Sequence, residues 1–176
     1  HSTCACLQRG LALRRLPAPA AEAPKMRVAS YNVNYAMGRA AGKVSGLSST
    51  EFVKVGDDIL DKGDYSGPAG ARLLLRDARV EIGVLEVARG GILRRGLPIT
   101  RARAAVVTNV ASDHLGQYGI MTVPELAEVK LAVHRGLAPE GLLILNADDP
   151  QVVATARSVS ARTAWFSLNP AKPQIT

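Results

Sequence analysis

Three segments pair chemically capable side chains with a spacing that would present them together. "LEVARGGILRRGL", residues 85–97, sets Glu86 at the end of an apolar run and follows it with a glycine pair and three arginines. "ASDHLG", residues 111–116, carries Asp113 and His114 behind a second apolar run. "LNADDP", residues 145–150, places Asn146, Asp148 and Asp149 behind a third. A carboxylate and an imidazole from neighbouring strand ends can share a divalent cation. Oxygen ligation suits Mg²⁺, whose remaining positions stay open to water and phosphate oxygens. Such a set would serve phosphoryl transfer. Each member also has a plainer reading: Glu86 as the solvated end of a buried strand, His114 as a structural imidazole, and "NADDP" as a turn and helix cap first.

Lys130 adds to this set. On a helical wheel started at Leu126, Val129 and Val133 fall within about 60° on one side and Lys130 about 40° on the other, so the lysine borders the apolar arc. Partial desolvation favours a neutral amine, which near a metal can take up carbon dioxide and become a carbamate. The alternative is a lysine that snorkels to water along its aliphatic stem. His134, one turn on, lies further toward solvent.

The elements that must hold these groups read as α/β. "EIGVLEV" (81–87), "AAVVTNV" (104–110) and "GLLILNA" (141–147) are apolar almost throughout, as strands of a sheet covered on both faces require, and they form the central sheet. "KVSGLSS" (43–49) and "FVKV" (52–55) are shorter strands, "VGDDILDKGDYSGP" an exposed loop, "AGARLLLRD" a helix with Pro68 in its first turn, and "TAWFSL" a closing strand. In "TVPELAEVKLAVHRG" Thr122 and Glu125 have the spacing of a capping box. "DDPQVVATARS" starts a further helix, with Asp149 as cap and Pro150 at its first position. In an open parallel sheet, ligands collect beyond the carboxyl ends of the strands, where the polar exits lie.

Composition sets outer bounds. A chain of 176 residues makes one principal domain, and no apolar run approaches the length of a membrane-spanning helix. A net charge of +7 raises nucleic acid as a partner, but the arginines are scattered and aromatics reach only 4%, so stacking platforms are scarce. An acidic or phosphorylated small molecule suits the same charge. Cys4 and Cys6 have no second pair to complete a zinc site and read as incidental thiols of a reducing, cytoplasmic setting. Residues 1–24 read as a leader or foreign-looking segment, and 25–176 as the domain.

The ordered motifs "AAGKVSGLSST", "GDYSGPAGAR", "VLEVARGGILRRGL", "VVTNVASDHLGQYGI", "ELAEVKLAV" and "LNADDP" resemble the Mur ligase family, in its central, ATP-dependent domain, and most closely the Mur-ligase-like part of cyanophycin synthetases. The resemblance runs over about residues 40–167. It implies a mostly parallel sheet flanked by helices, of the phosphate-loop type, with ATP and Mg²⁺ as cofactors of the complete enzyme. It also implies a reaction in which ATP phosphorylates a carboxylate and an amino-acid or peptide amine attacks the acyl phosphate to form an amide. Carried over by position, Glu86 and His114 are the magnesium ligands and Lys130 the lysine that many members carbamylate. Asn109 and Asp113 are candidates for nucleotide contact, and Arg89 and Arg72 for substrate contact.

Two features depart from the family. Val87 replaces the threonine usual beside the glutamate. The glycine-rich phosphate loop, of the form GTNGKT/S, is missing: in "GRAAGKV", residues 38–44, three residues separate the glycines instead of four and Val44 stands where a hydroxyl is needed. The resulting reading is an incomplete central domain of an ATP-dependent acid–amino-acid ligase, N-terminally short and lacking the third domain. A noncatalytic remnant that binds an anionic ligand or protein partner is the alternative, and a basic nucleic-acid-binding domain stands third.

Overall fold

A computed structural model describes residues 27–30, 42–112 and 115–175. The leader with Cys4 and Cys6, most of "GRAAGKV", and the pair Asp113 and His114 lie outside the described residues. Eight strands form one sheet in the order β4-β3-β2-β5-β1-β6-β7-β8. They are β1 (Arg27–Ser30), β2 (Ser45–Ser48), β3 (Phe52–Val55), β4 (Asp58–Lys62), β5 (Ile82–Leu85), β6 (Ala102–Val107), β7 (Leu137–Asn146) and β8 (Thr163–Phe166). The six strands from β2 to β8 across the centre pair in parallel, and β3 and β4 add an antiparallel edge. This is the mostly parallel α/β sheet expected. The three apolar runs are all strands in it, but β5 and β6 do not touch: β1 lies between them.

One expectation is corrected. Residues 58–62, read as exposed loop, form β4. All five residues are exposed, so no burial pattern betrays the strand. It forms because Val55 pairs with Asp58 across a two-residue hairpin, with Gly56 in the left-handed region at φ 58°.

Among the described residues four helices flank the sheet: α1 (Pro68–Leu75), α2 (Arg89–Arg95), α3 (Val123–Leu131) and α4 (Pro150–Ala156), with a 3-10 turn, Ala132–Gly136, continuing α3. Pro68 occupies the first turn of α1. The capping box of α3 is complete: the Glu125 N–H donates to Thr122 Oγ1, and Glu125 Oε2 accepts from the Thr122 N–H at 2.9 Å. One hydrophobic cluster packs α1 on β3 and β5 through Leu74, Val53 and Leu85. A larger one packs α3 and α4 on β6 and β7 through Leu126, Leu131, Val152, Leu143 and Leu145. A Cβ on Gly46 of β2 would stand 2.5 Å from a methyl of Leu74, so the absence of a side chain there sets how closely α1 approaches the sheet.

Asp149 caps α4 and does more than the sequence suggested. Its Oδ1 accepts from the N–H groups of Gln151 and Val152, while Oδ2 accepts from the Val110 N–H at 2.6 Å. One carboxylate therefore pins the start of α4 to the exit of β6. Asp149→Ala leaves three backbone donors without it and should cost about 2 kcal/mol, above an ordinary cap deletion, measured by urea unfolding.

Candidate active site

The reversal of strand order at β1 opens a crevice beyond the carboxyl ends of β5, β1 and β6, the position where open α/β sheets bind ligands. A cleft of about 410 Å³ lies beside it. Its walls are the segment Asp64–Ala69, Glu86, the first turns of α2, the Gln117–Tyr118 loop, Leu126 and Lys130.

Glu86 extends the ladder by one residue past β5: its N–H donates to the Ser48 carbonyl at 2.9 Å. Its side chain turns back to accept from the Thr50 N–H at 3.1 Å. Burial pushes the carboxyl up from its ordinary pKa; the Thr50 hydrogen bond opposes this, and the charges of Asp64 and Glu51 add to it. A carboxylate disfavoured in its own surroundings, with two further negative charges near, is stabilised by a cation arriving in the cleft. The carboxylates of the described cleft, Glu86 and Asp64, are oxygen donors, which suit Mg²⁺. Among the described residues no three His, Cys, Asp or Glu side chains converge on a metal position, and the second expected ligand, His114, lies outside them.

Opposite Glu86, Asp64 Oδ1 accepts from both the N–H and the hydroxyl of Ser66, at 3.0 and 2.6 Å. The hydroxyl, the N–H and the Arg94 charge hold this carboxyl below its usual range. The Ser66 carbonyl in turn receives the Ala88 N–H, tying the wall to the start of α2. Gly70 makes this possible, since a Cβ there would stand 2.1 Å from the Tyr65 carbonyl oxygen.

Lys130 is part-buried and lines the cleft, as its wheel position implied; its Nζ donates to the Asn109 carbonyl at 3.2 Å. Asn109 itself is exposed and stands outside the cleft wall, its Oδ1 accepting from the Thr108 hydroxyl. Arg89 lines the cleft, and its Nη2 donates to Gln117 Oε1 at 2.6 Å. Arg72 does not: it is exposed on α1. The "NADDP" residues are structural. Asn146 Nδ2 donates to the Thr108 carbonyl, Asp148 accepts from Ser167 and the Leu168 N–H, and Asp149 caps α4. The imidazole of His134 stays on the Leu131 carbonyl.

Sequence reasoning passed over Asp64, Ser66, Arg94, Gln117 and Tyr118 as site residues, although all line the cleft. The signals were present in "GDYSGP" and "GQYG", turns that directly flank a helix or a strand exit.

The Mur ligase middle domain family matches residues 34–175. The chain belongs to that family. It is 46% identical over 137 residues to the cyanophycin synthetase of Synechocystis sp., covering 78% of this chain and 16% of that protein. It is 29% identical over 133 residues to a UDP-N-acetylmuramoyl-tripeptide–D-alanyl-D-alanine ligase of Mycobacterium tuberculosis, covering 72% of this chain and 26% of the relative. A solved structure of a UDP-N-acetylmuramoyl-L-alanyl-D-glutamate–2,6-diaminopimelate ligase superposes with a TM-score of 0.60 at 16% identity, over 84% of this chain and 33% of that one. The chain thus spans about a sixth of the cyanophycin synthetase it matches. As a Mur ligase middle domain it presents Glu86 at the exit of the strand nearest the reversal in order.

The raised pKa of Glu86 has a definite consequence for stability. Because the folded state holds the proton more tightly, this stabilisation is present below the ordinary carboxyl pKa and is lost as pH rises through the folded value. With divalent metal chelated, Glu86→Gln should therefore melt higher than the parent at pH 7, and the two should converge toward pH 4. Scanning calorimetry checks this, and a parent more stable than the variant at pH 7 would contradict the assigned burial cost.

Proposed function

We propose that the chain acts as the middle domain of an ATP-dependent, amide-forming ligase of the cyanophycin-synthetase type, in the cytoplasm. The observation that carries the reading is the half-buried Glu86 at the switch of strand order, within a segment 46% identical to a cyanophycin synthetase. In it Glu86, with His114, would hold Mg²⁺, which supplies charge neutralisation for phosphoryl transfer to a substrate carboxylate. Lys130 stands at the same cleft, where a carbamate on its Nζ would convert a cation into a metal ligand or acceptor. Asn109, just past β6, and Asp113, four residues on in the sequence, are the candidates for nucleotide contact. Arg89 lines the cleft and would receive an anionic part of the acid substrate; Arg72, the other candidate for substrate contact, is exposed on α1 outside the cleft wall. The acid is an amino acid or peptide, and so is the attacking amine.

No helix among the described residues is long and apolar enough to cross a membrane. The remnant and nucleic-acid readings are not favoured, because the polar exits at Glu86, Arg89 and Lys130 converge on one cleft.

A chimera tests the proposal. Residues 40–167 replace the matching segment of the Synechocystis enzyme, so that the remaining parts come from a working ligase, and ATP-dependent product formation is followed. The exchange should retain product formation, and Glu86→Ala within it should lower the rate by about 100-fold or more, the scale of removing a metal's charge stabilisation. A folded but inert chimera would favour the remnant reading. Turnover unchanged by Glu86→Ala would remove the metal role.

A further inference from the structure

The cleft holds more positive charge than a metal site at Glu86 calls for. Arg89, Arg94, Arg95 and Lys130 line it together with only two carboxylates, Asp64 and Glu86. None of the three arginines forms a salt bridge among the described residues. Two of them are nevertheless held in place. Gln117 Oε1 takes Arg89 Nη2 at 2.6 Å, and Arg94 Nε donates to the Gly90 carbonyl at 3.1 Å. The ring of Tyr118 lies against both guanidiniums, its centroid 6.0 Å from the Cζ of Arg89 and 5.5 Å from that of Arg94. The Nη1 of Arg89 is buried with no hydrogen-bond partner.

Tyr118 itself is held awkwardly. Its φ is 56°, in the left-handed region, between Gly116 at 82° and Gly119 at 77°. Glycine adopts this conformation freely and tyrosine at a cost, so the turn alone would be better served by glycine at 118. The residue is 52% exposed and belongs to neither hydrophobic cluster. Its contacts are the two arginines and Gly90, where a Cβ would meet the ring edge at 3.5 Å. Strain of this kind persists where surrounding contacts hold it.

We propose that Tyr118, with Gln117, is a positioning residue that holds Arg89 and Arg94 at the cleft to receive a second anionic group of the acid substrate, separate from the carboxylate that reacts beside Glu86. The planar fork of arginine suits a carboxylate or a phosphate, so the shared chemistry is an oxyanion. The identity of the ligand as an acid substrate rests on the ligase reading; the oxyanion site does not.

Calorimetric titration of the full chain at low ionic strength, without metal or ATP, separates the two. The probes are N-acetylglutamate, its monoanionic counterpart N-acetylglutamine, and inorganic phosphate. The parent should bind the dicarboxylate at least fivefold more tightly than the monocarboxylate; phosphate binding tighter than both also supports the site and makes its anion a phosphoryl group. Tyr118→Gly relieves the backbone and should melt at the parent's temperature or higher, yet lose the preference. Tyr118→Phe keeps the ring and should keep the preference. Gln117→Ala, an exposed change that frees one guanidinium, should weaken N-acetylglutamate binding two- to threefold and serves if the Tyr118 variants fold poorly. Equal binding of all three probes by the parent, or a Tyr118→Gly chain that retains the preference, overturns the proposal. An inert chimera would overturn the ligase reading and leave this outcome unchanged.

Discussion

The position of β1 between β5 and β6 is the constraint on which the rest depends. β1 pairs in parallel with β5 on one side and with β6 on the other, so the sheet continues to one side through β2 and to the other through β7. Loops leaving β5 and β6 then diverge, and a crevice opens between them instead of a covered edge. Glu86 lines the cleft beside that crevice, whereas Asn109 stands outside the cleft wall and touches it only through its carbonyl on Lys130. In the chain β1 is followed by "YNVNYAMGRAAG", which up to residue 41 lies outside the described residues. The family resemblance implies a phosphate loop ahead of residue 38, and this sequence has another pattern there.

Within the crevice, electrostatics and burial oppose one another. Desolvation raises Glu86, whereas hydrogen bonding lowers Asp64, although both carboxylates line the same cleft. The difference is local: Asp64 has two donors from Ser66, and Glu86 has one backbone N–H from Thr50. A buried carboxylate with a single donor gains most from a cation. The arginines across the cleft supply positive charge without contacting Glu86. Carboxylates and guanidiniums thus line one cleft of about 410 Å³.

Local signals in the sequence were reliable where one short segment satisfies itself. Thr122 with Glu125, and Asp149 with Pro150, predict helix starts because each cap needs only its own first turn. The runs at 81–87, 104–110 and 141–147 are strands because a sheet covered on both faces demands apolar residues throughout. Three elements escaped. β4 is wholly exposed and exists through pairing with β3. The strand β1 is four residues long and lies in a stretch with no distinguishing pattern. The helix α2 carries a glycine pair in its first turn and has no side-chain cap, and its entry is held by the Ala88 N–H on the Ser66 carbonyl.

By itself the sequence determined the fold class, the family, and the residue types that could do chemistry, because those rest on periodicity, caps and motifs legible within short windows. Tertiary structure decided which candidates share a site. It set Lys130 and Arg89 beside Glu86, left Arg72 on the outer face of α1, and turned "NADDP" into a clamp between β6 and α4. It also brought in Asp64, Gln117 and Tyr118 from segments 22 to 32 residues away from Glu86 along the chain. The physical reason is that a site at a switch of strand order is assembled by loops from different strands. Their meeting depends on strand order, which no local pattern encodes.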